Sequence, residues 1–443
     1  MTNLLIRLAT ALIPAKTLRK RLRRKWLDRA ILARLNRGVP RIRACYGKLA
    51  ATAREKLARG EKLRVAFLIC DASMFSGESV FRRMSQDQRF DCFIAVAPRI
   101  TRGEAFLRET LRKTVGLLSE RYGKVVPLYD PDSGKSLPID ADIVFSTVVY
   151  EDQTLPRYTT ERLSERALVI CLYYGYGGLF TSNTKRTVFL PNIVFSWKYF
   201  VSNEATRTLW IEKNPLLKDN LEVSGYAKMD RLEEEIRRAA EHPRSAKTVV
   251  ICPHHSIERD TDGLKLSTFL IHADLFQRLP KIFPDVKFVF RPHPLLFARL
   301  ATPKWWGEAK TAEYRAALEA NPNVEFQQGG DYFATFAVSD ALIHDCGSFI
   351  AEYFYVGKPQ CYMLENDRTL DQFLPFCRRM VDHAYRAFTD DDIVNFIRDV
   401  VIGDRDPMRT ERDDFAKREV CVNHPDATSS VINAILSGIA AAK

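Results

Sequence analysis

This 443-residue chain has no Cys-x-x-Cys pair, no Gly-x-Gly-x-x-Gly loop and no uninterrupted apolar run of the ~20 residues a membrane-crossing helix needs. Its nine cysteines, at 45, 70, 92, 171, 252, 346, 361, 377 and 421, are odd in number and irregularly spaced. That pattern excludes a disulfide framework and a structural zinc site, and it fits a reducing cytosol. Neither a short internal repeat nor a low-complexity tract is present, which excludes solenoids and biased linkers. Histidine is scarce, with eight residues, so where they cluster is informative.

What is present is a globular composition, 46% hydrophobic, enough for two to three cores, and a formal net charge of +12. The excess sits in one place. Residues 1–43 carry thirteen Lys or Arg against the single acid Asp28, and the remaining chain is balanced. The segment opens apolar but is broken by Arg7 and Pro14, and its charge follows the apolar part, the reverse of a secretory signal. It is expected neither to span a membrane nor to direct secretion. Leu18, Leu22 and Trp26 recur every fourth residue among basic residues, the pattern of a helix lying on an anionic bilayer; a basic helix that is solvated or docked on its own protein is the plainer reading. Nothing elsewhere resembles a basic groove or an RNA-binding signature, so nucleic acid is not an expected partner.

Near-continuous apolar runs at 64–70, 90–98, 141–149, 167–175 and 198–203 alternate with helical stretches, as in a parallel sheet covered on both faces. A second series follows at 248–256, 286–294, 323–331, 340–348 and 360–364. The predicted fold class is α/β: two Rossmann-like doubly wound domains facing an interdomain cleft, with a basic helical N-terminal arm. The expected divisions are an arm over 1–62, a first domain over 63–240, a second over 241–390 and helices over 391–443 that close on the first domain. Such folds bind ligands at the carboxyl ends of their strands.

Three strand ends in the second series carry polar clusters: "CPHHS" with His254 and His255, "FRPHP" with Arg291 and His293, and "IHDCGS" with His344, Asp345, Gly347 and Ser348. Four of the eight histidines fall there. Gly347 allows close backbone approach and Ser348 begins a helix, a pairing that suits a diphosphate. Glu352, one turn on, has a carboxylate placed to accept two ribose hydroxyls; a plain cap and a solvated charge are the alternatives. Arg291 and His293 share a strand face, one suited to phosphate oxygens and the other to taking a proton. The glycine-rich "YGYGGL", with Tyr174 and Gly175, is placed at the ligand edge of the first sheet. "TDDD" at 389–392 reads as a helix cap, "YDPDSG" as a turn, and no group of residues makes a metal site.

In order, "VSGYAKMDRL", "VICPHHS", "FVFRPHP" and "SDALIHDCGSFIAEYFYVGKP" resemble the CDP-glycerol glycerophosphotransferase family, teichoic-acid- and capsule-type polymerases of the GT-B fold, over roughly residues 165–365. The resemblance implies transfer of glycerol phosphate from CDP-glycerol to a hydroxyl of a membrane-associated, lipid-linked glycan or polyol phosphate, with no added cofactor. It places His293 at the family's "HP" histidine, Gly347-Ser348 at its Ser-Ser, and Gly225 and Asp230 in its "GYPRND"-like turn, with Ala227 and Lys228 replacing Pro and Arg. Tyr174 stands where the family has the histidine of "HGTP". The implied catalytic residues are His293 as base, or His255. Donor contacts fall to His254, Arg291, Asp345, Gly347, Ser348 and Glu352, and acceptor contacts to Tyr174 and Gly175. The expected location is cytoplasmic, peripheral on the inner face of the membrane. A GT-B enzyme using a nucleotide sugar, or a non-catalytic assembly subunit, are the competing readings.

Overall fold

The computed structural model describes residues 16–148, 150–172, 175–242, 244–259 and 263–442. Tyr174, assigned above to the acceptor side, lies outside them.

Among the described residues fifteen strands follow in chain order: β1 Leu63–Ile69, β2 Phe90–Val96, β3 Val125–Pro127, β4 Tyr129–Asp130, β5 Lys135–Ser136, β6 Ile143–Ser146, β7 Leu168–Leu172, β8 Lys198–Val201 and β9 Leu221–Val223, then β10 Thr248–Cys252, β11 Lys287–Phe290, β12 Val324–Phe326, β13 Ala341–His344, β14 Gln360–Met363 and β15 Tyr385–Ala387. They form a seven-stranded sheet in the order β3-β2-β1-β6-β7-β8-β9 and a six-stranded sheet in the order β12-β11-β10-β13-β14-β15. Every ladder in both is parallel. Each order reverses direction beside its first strand, which opens a crevice at the carboxyl ends. Strands β6, β7, β8, β10, β13 and β14 are buried at every residue, as covering helices on both faces require. β4 and β5 form a separate antiparallel hairpin, the expected "YDPDSG" turn, where the Asp130 carboxylate accepts from the Asp132 amide and the Ser133 hydroxyl.

The basic segment is helical, from Lys16 to Ala58, but only its first part stands apart as an arm. Leu35, Val39, Ile42, Tyr46, Ala50 and Ala53 are buried in the core of the first sheet, and the Tyr46 hydroxyl donates to the carbonyl of Phe195. Trp26, Ile31 and Leu32 stay exposed among basic residues. Among the described residues no helix is long and apolar enough to cross a membrane.

The C-terminal helices divide differently from the expected boundary. Ile393, Phe396, Ile397, Val400 and Val401 belong to the second domain's core. Only the helix Ala427–Ala440 returns to the first, burying Val431, Ile435 and Ile439 there. Its start explains the "SGYAKMD" turn. The Asp230 carboxylate accepts from the amides of Ala427 and Thr428, and Gly225, at φ 81°, leaves space that a Cβ would take to within 2.0 Å of the Val422 carbonyl oxygen.

Candidate active site

A cleft of about 560 Å³ lies between the carboxyl ends of the two sheets. The first domain lines it with Ser73, the Gly175–Phe180 loop, Thr184, Thr187 and Trp210; the second lines it with His254, His255, Arg291, His293, Gly347, Ser348 and Tyr332. The sequence clusters therefore meet, because parallel pairing of β11, β10 and β13 aligns their ends. The Arg291 amide donates to the carbonyl of Ile251, and that of His293 to the carbonyl of Pro253.

Arg291 is 8% exposed. Its guanidinium donates to Gln327 Oε1 at 2.8 Å and to the carbonyls of Gly329 and Gly330 at 2.8 and 2.6 Å, all neutral acceptors. Among the described residues no carboxylate pairs with it. A buried cation without a counter-charge is costly, and burial pushes its pKa below the ordinary arginine value. Such an arrangement suits an anion.

His254, His255 and His293 form one cluster, with ring centroids 4.3 Å (254–255), 4.1 Å (255–293) and 5.2 Å (254–293) apart. Their nitrogens lie within 4.8 Å of one another, close enough to raise a metal site as a question. The hydrogen bonds answer it. His293 caps the helix Pro294–Leu300, its Nδ1 accepting from the Leu295 amide at 3.1 Å. His254 Nδ1 accepts from the Ser256 amide at 3.2 Å and lies 2.8 Å from the Ser256 hydroxyl, whose oxygen itself accepts from the Leu266 amide. An imidazole that accepts at Nδ1 carries its proton at Nε2 when neutral. With Nδ1 taken by an amide, only Nε2 could bind a metal, which would need Nε2 bare and Nδ1–H donating, so these two rings do not fit a divalent cation as they stand. Burial, and then the neighbouring positive groups, hold both rings neutral; the His293 pKa falls to about 3 and that of His254 well below its ordinary value. Both rings thus offer N–H donors. In that tautomer His293 turns Nε2–H outward, an arrangement that suits a donor more than the base expected from sequence.

Three of the other named residues lie in the interior. Asp345 is fully buried, and its carboxylate accepts from the amides of His254 and Thr268, at 2.5 and 2.6 Å, and from the Thr268 hydroxyl at 3.0 Å. It fixes the His254 loop and does not face a donor; burial raises its pKa to about 6. His344 is likewise interior, with Nε2 3.0 Å from Gln360 Oε1. Glu352, 1% exposed, is occupied by Lys228, Tyr226 and Tyr332 rather than open to a ribose. Ser348 lines the cleft but makes no side-chain cap, and the α-helix after it is four residues long, Phe349–Glu352. Gly347 also lines the cleft, yet the space beside it is filled: a Cβ there would sit 2.9 Å from the Phe180 ring. Gly175 lines the cleft from the first domain. Phe180, Trp210 and Tyr332 were missed. Aromatic residues in loops and helices carry no periodic signal, and only the Gly-rich context of the 175–180 loop pointed toward one of them.

The family model of CDP-Glycerol:Poly(glycerophosphate) glycerophosphotransferase matches residues 180–427, more than half of the chain. The chain belongs to this family. Among solved structures it is similar to the wall teichoic acid polymerase TagF, 14% identical over 85% of this chain and 89% of that chain, TM-score 0.55. A TagF variant soaked with CDPG is 14% identical over 92% and 98%, TM-score 0.53. The UDP-GlcNAc 2-epimerase from Neisseria meningitidis bound to UDP-GlcNAc is 14% identical over 85% and 100%, TM-score 0.50. These likenesses are of fold, and the fold is GT-B. No curated protein matches the chain.

Proposed function

We propose that this member of the glycerophosphotransferase family transfers glycerol phosphate from CDP-glycerol to a hydroxyl of a polyol-phosphate or glycan acceptor, at the cleft between its sheets. The observation that carries the reading is Arg291, a buried guanidinium paired only with neutral acceptors, facing a cleft into which two neutral imidazoles present N–H groups. Those groups suit the diphosphate. The acceptor oxygen attacks the phosphorus that bears glycerol, an O–P bond forms as the bond to CMP breaks, and CMP leaves with the electron pair. Arg291 and the donors of His254 and His293 stabilise charge on the bridging and non-bridging oxygens, the main demand of phosphoryl transfer. The proton lost by the acceptor goes to His255, the remaining ring of the cluster and the second of the two bases assigned from sequence. Gly347 and Ser348 border the donor at the mouth, and Gly175 borders the acceptor.

The exposed Trp26, Ile31 and Leu32, with the basic residues around them, hold the enzyme on the anionic inner face of a membrane, where a lipid-linked acceptor is presented. The test is mass spectrometry of products formed from CDP-glycerol with polyol-phosphate and glycan acceptors. Release of CMP with addition of one glycerol phosphate to the acceptor is expected. Turnover of nucleotide sugars alone would replace this reading with a glycosyltransferase.

A further inference from the structure

The acceptors of Arg291 all belong to the segment 327–330 that follows β12, and the carbonyls of Gly329 and Gly330, at φ 70° and 75°, both reach its Nη2. The next residue, Asp331, ends that loop. Its Oδ1 accepts from the Phe333 amide at 3.0 Å and its Oδ2 from the guanidinium of Arg231. Arg231 lies in the helix Asp230–Ala240, whose Leu232 is buried in a core shared with Val250 and Leu342 of the second sheet. Its other arm crosses to the first domain. There Nη1 donates to Glu78 Oε2 at 3.0 Å, and Glu78 opens the helix Glu78–Gln86, whose Val80, Phe81 and Met84 are buried in the core of the first sheet. Glu78 Oε1 in turn accepts from Arg82 at 3.0 and 2.9 Å. Cation and carboxylate thus alternate across the domain boundary, Arg82–Glu78–Arg231–Asp331, and the side chains of Arg231 and Glu78 are only 18% and 11% exposed. Pairs this far from water are weakly screened and costly to break. A guanidinium is a rigid fork, so one Arg fixes the spacing of two carboxylates, which the point charge of a Lys does not.

We propose that Arg231 is a positioning residue for the transfer: with one arm on Glu78 and the other on Asp331, it fixes the first domain against the loop that holds Arg291. The proposal rests on the transferase reading above, in which the first domain borders the acceptor and Arg291 meets the donor. Transfer needs the acceptor oxygen in line with the phosphorus, and a misplacement of about 1 Å can cost about 100-fold. Donor binding needs Arg291 and its loop. The two halves of the link therefore differ in consequence. Losing the Glu78 contact frees the first domain and leaves the Arg291 loop tied to Arg231; losing the Asp331 contact loosens both.

The experiment measures kcat for transfer and, by calorimetry, Kd for CDP-glycerol in Glu78→Gln, Asp331→Asn, Arg231→Lys and Arg231→Met, below the melting temperature of every variant. Glu78→Gln should lower kcat about 10- to 100-fold and leave Kd within about twofold. Asp331→Asn should lower kcat as much and also weaken CDP-glycerol binding about three- to tenfold. Arg231→Lys keeps the charge without the fork and should do no better than Glu78→Gln. In Arg231→Met, adding Glu78→Gln should lower kcat no further, because the two residues act through one link. An ion pair that only stabilises the fold gives a different result: lower melting temperatures with kcat and Kd of the folded enzyme unchanged, which overturns the proposal. Equal weakening of donor binding in Glu78→Gln and Asp331→Asn overturns it too. Should Arg231→Met melt early, Glu78→Gln and Asp331→Asn carry the test. An unaltered enzyme that neither binds nor turns over CDP-glycerol overturns the transferase reading and this one together. Turnover by the unaltered enzyme with kcat unchanged in Glu78→Gln overturns this one alone.

Discussion

The backbone amide of Leu295 donates to Nδ1 of His293 at 3.1 Å, and that single bond decides which end of the imidazole carries the proton in the cleft. A glutamine side chain reproduces a donor near the position of Nε2, whereas alanine does not. His293→Gln is therefore expected to keep kcat/KM within about tenfold of the unaltered enzyme, and His293→Ala to lose about 100-fold, reflecting a hydrogen bond to a charged group of roughly 1.5–3 kcal/mol plus the lost positioning. Equal losses in the two variants would restore the base assignment.

Low pH should destabilise the protein through the same rings. His254 and His293 have depressed pKa values in the folded state, the latter about 3, so between that value and the ordinary histidine pKa the unfolded chain binds more protons than the folded one. Stability then rises with pH across this window and is lost as pH falls from about 6.5 toward 3. Asp345, raised to about 6 by burial, works in the opposite sense between its unfolded and folded values, from about 3.9 to 6, where the folded state holds the extra proton. Denaturant melts at pH 7 and 5 check the balance. The His254→Gln, His293→Gln double variant should lose less stability between those two points than the unaltered protein.

Glu352 distinguishes an interior ion pair from a ribose ligand. Its carboxylate meets Lys228 and the hydroxyls of Tyr226 and Tyr332 in the interior, so Glu352→Gln should lower unfolding free energy by roughly 2 kcal/mol, the cost of uncoupling a buried pair, reduced because Lys228 is partly exposed. A chemical denaturation series reads this directly. A variant of unchanged stability whose KM for CDP-glycerol alone rises would return Glu352 to the donor.

Gly225 ties the first domain to the C-terminal return. At φ 81°, with the Val422 carbonyl 2.0 Å from the position of a Cβ, Gly225→Ala must move backbone, and a loss of about 2 kcal/mol or more is expected in thermal unfolding.

Much of this was legible in the chain because buried parallel strands announce themselves as apolar runs, and ten such runs marked ten of the thirteen strands of the two sheets. The strands β3, β9 and β15 were not read; each is three residues at a sheet edge, and of the edge strands only β12, equally short, was read. The Thr389 cap was readable from its residues and forms a capping box with Asp392. The histidine-bearing strand ends were readable as a site, since parallel register brings them together. Their roles were not. Whether His293 donates or accepts depends on the Leu295 amide, and whether Glu352 and Asp345 face a ligand or the interior depends on Lys228, Thr268 and the His254 amide, contacts that spacing along the chain does not encode.

The central claim is that Arg291 awaits an anion that the protein itself does not supply. Calorimetry of CDP-glycerol binding to Arg291→Met and to the unaltered protein measures it. The account expects the variant to keep its fold, since a buried unpaired charge is removed, and to bind CDP-glycerol about 10- to 100-fold more weakly. Equal affinity in a correctly folded variant would contradict it.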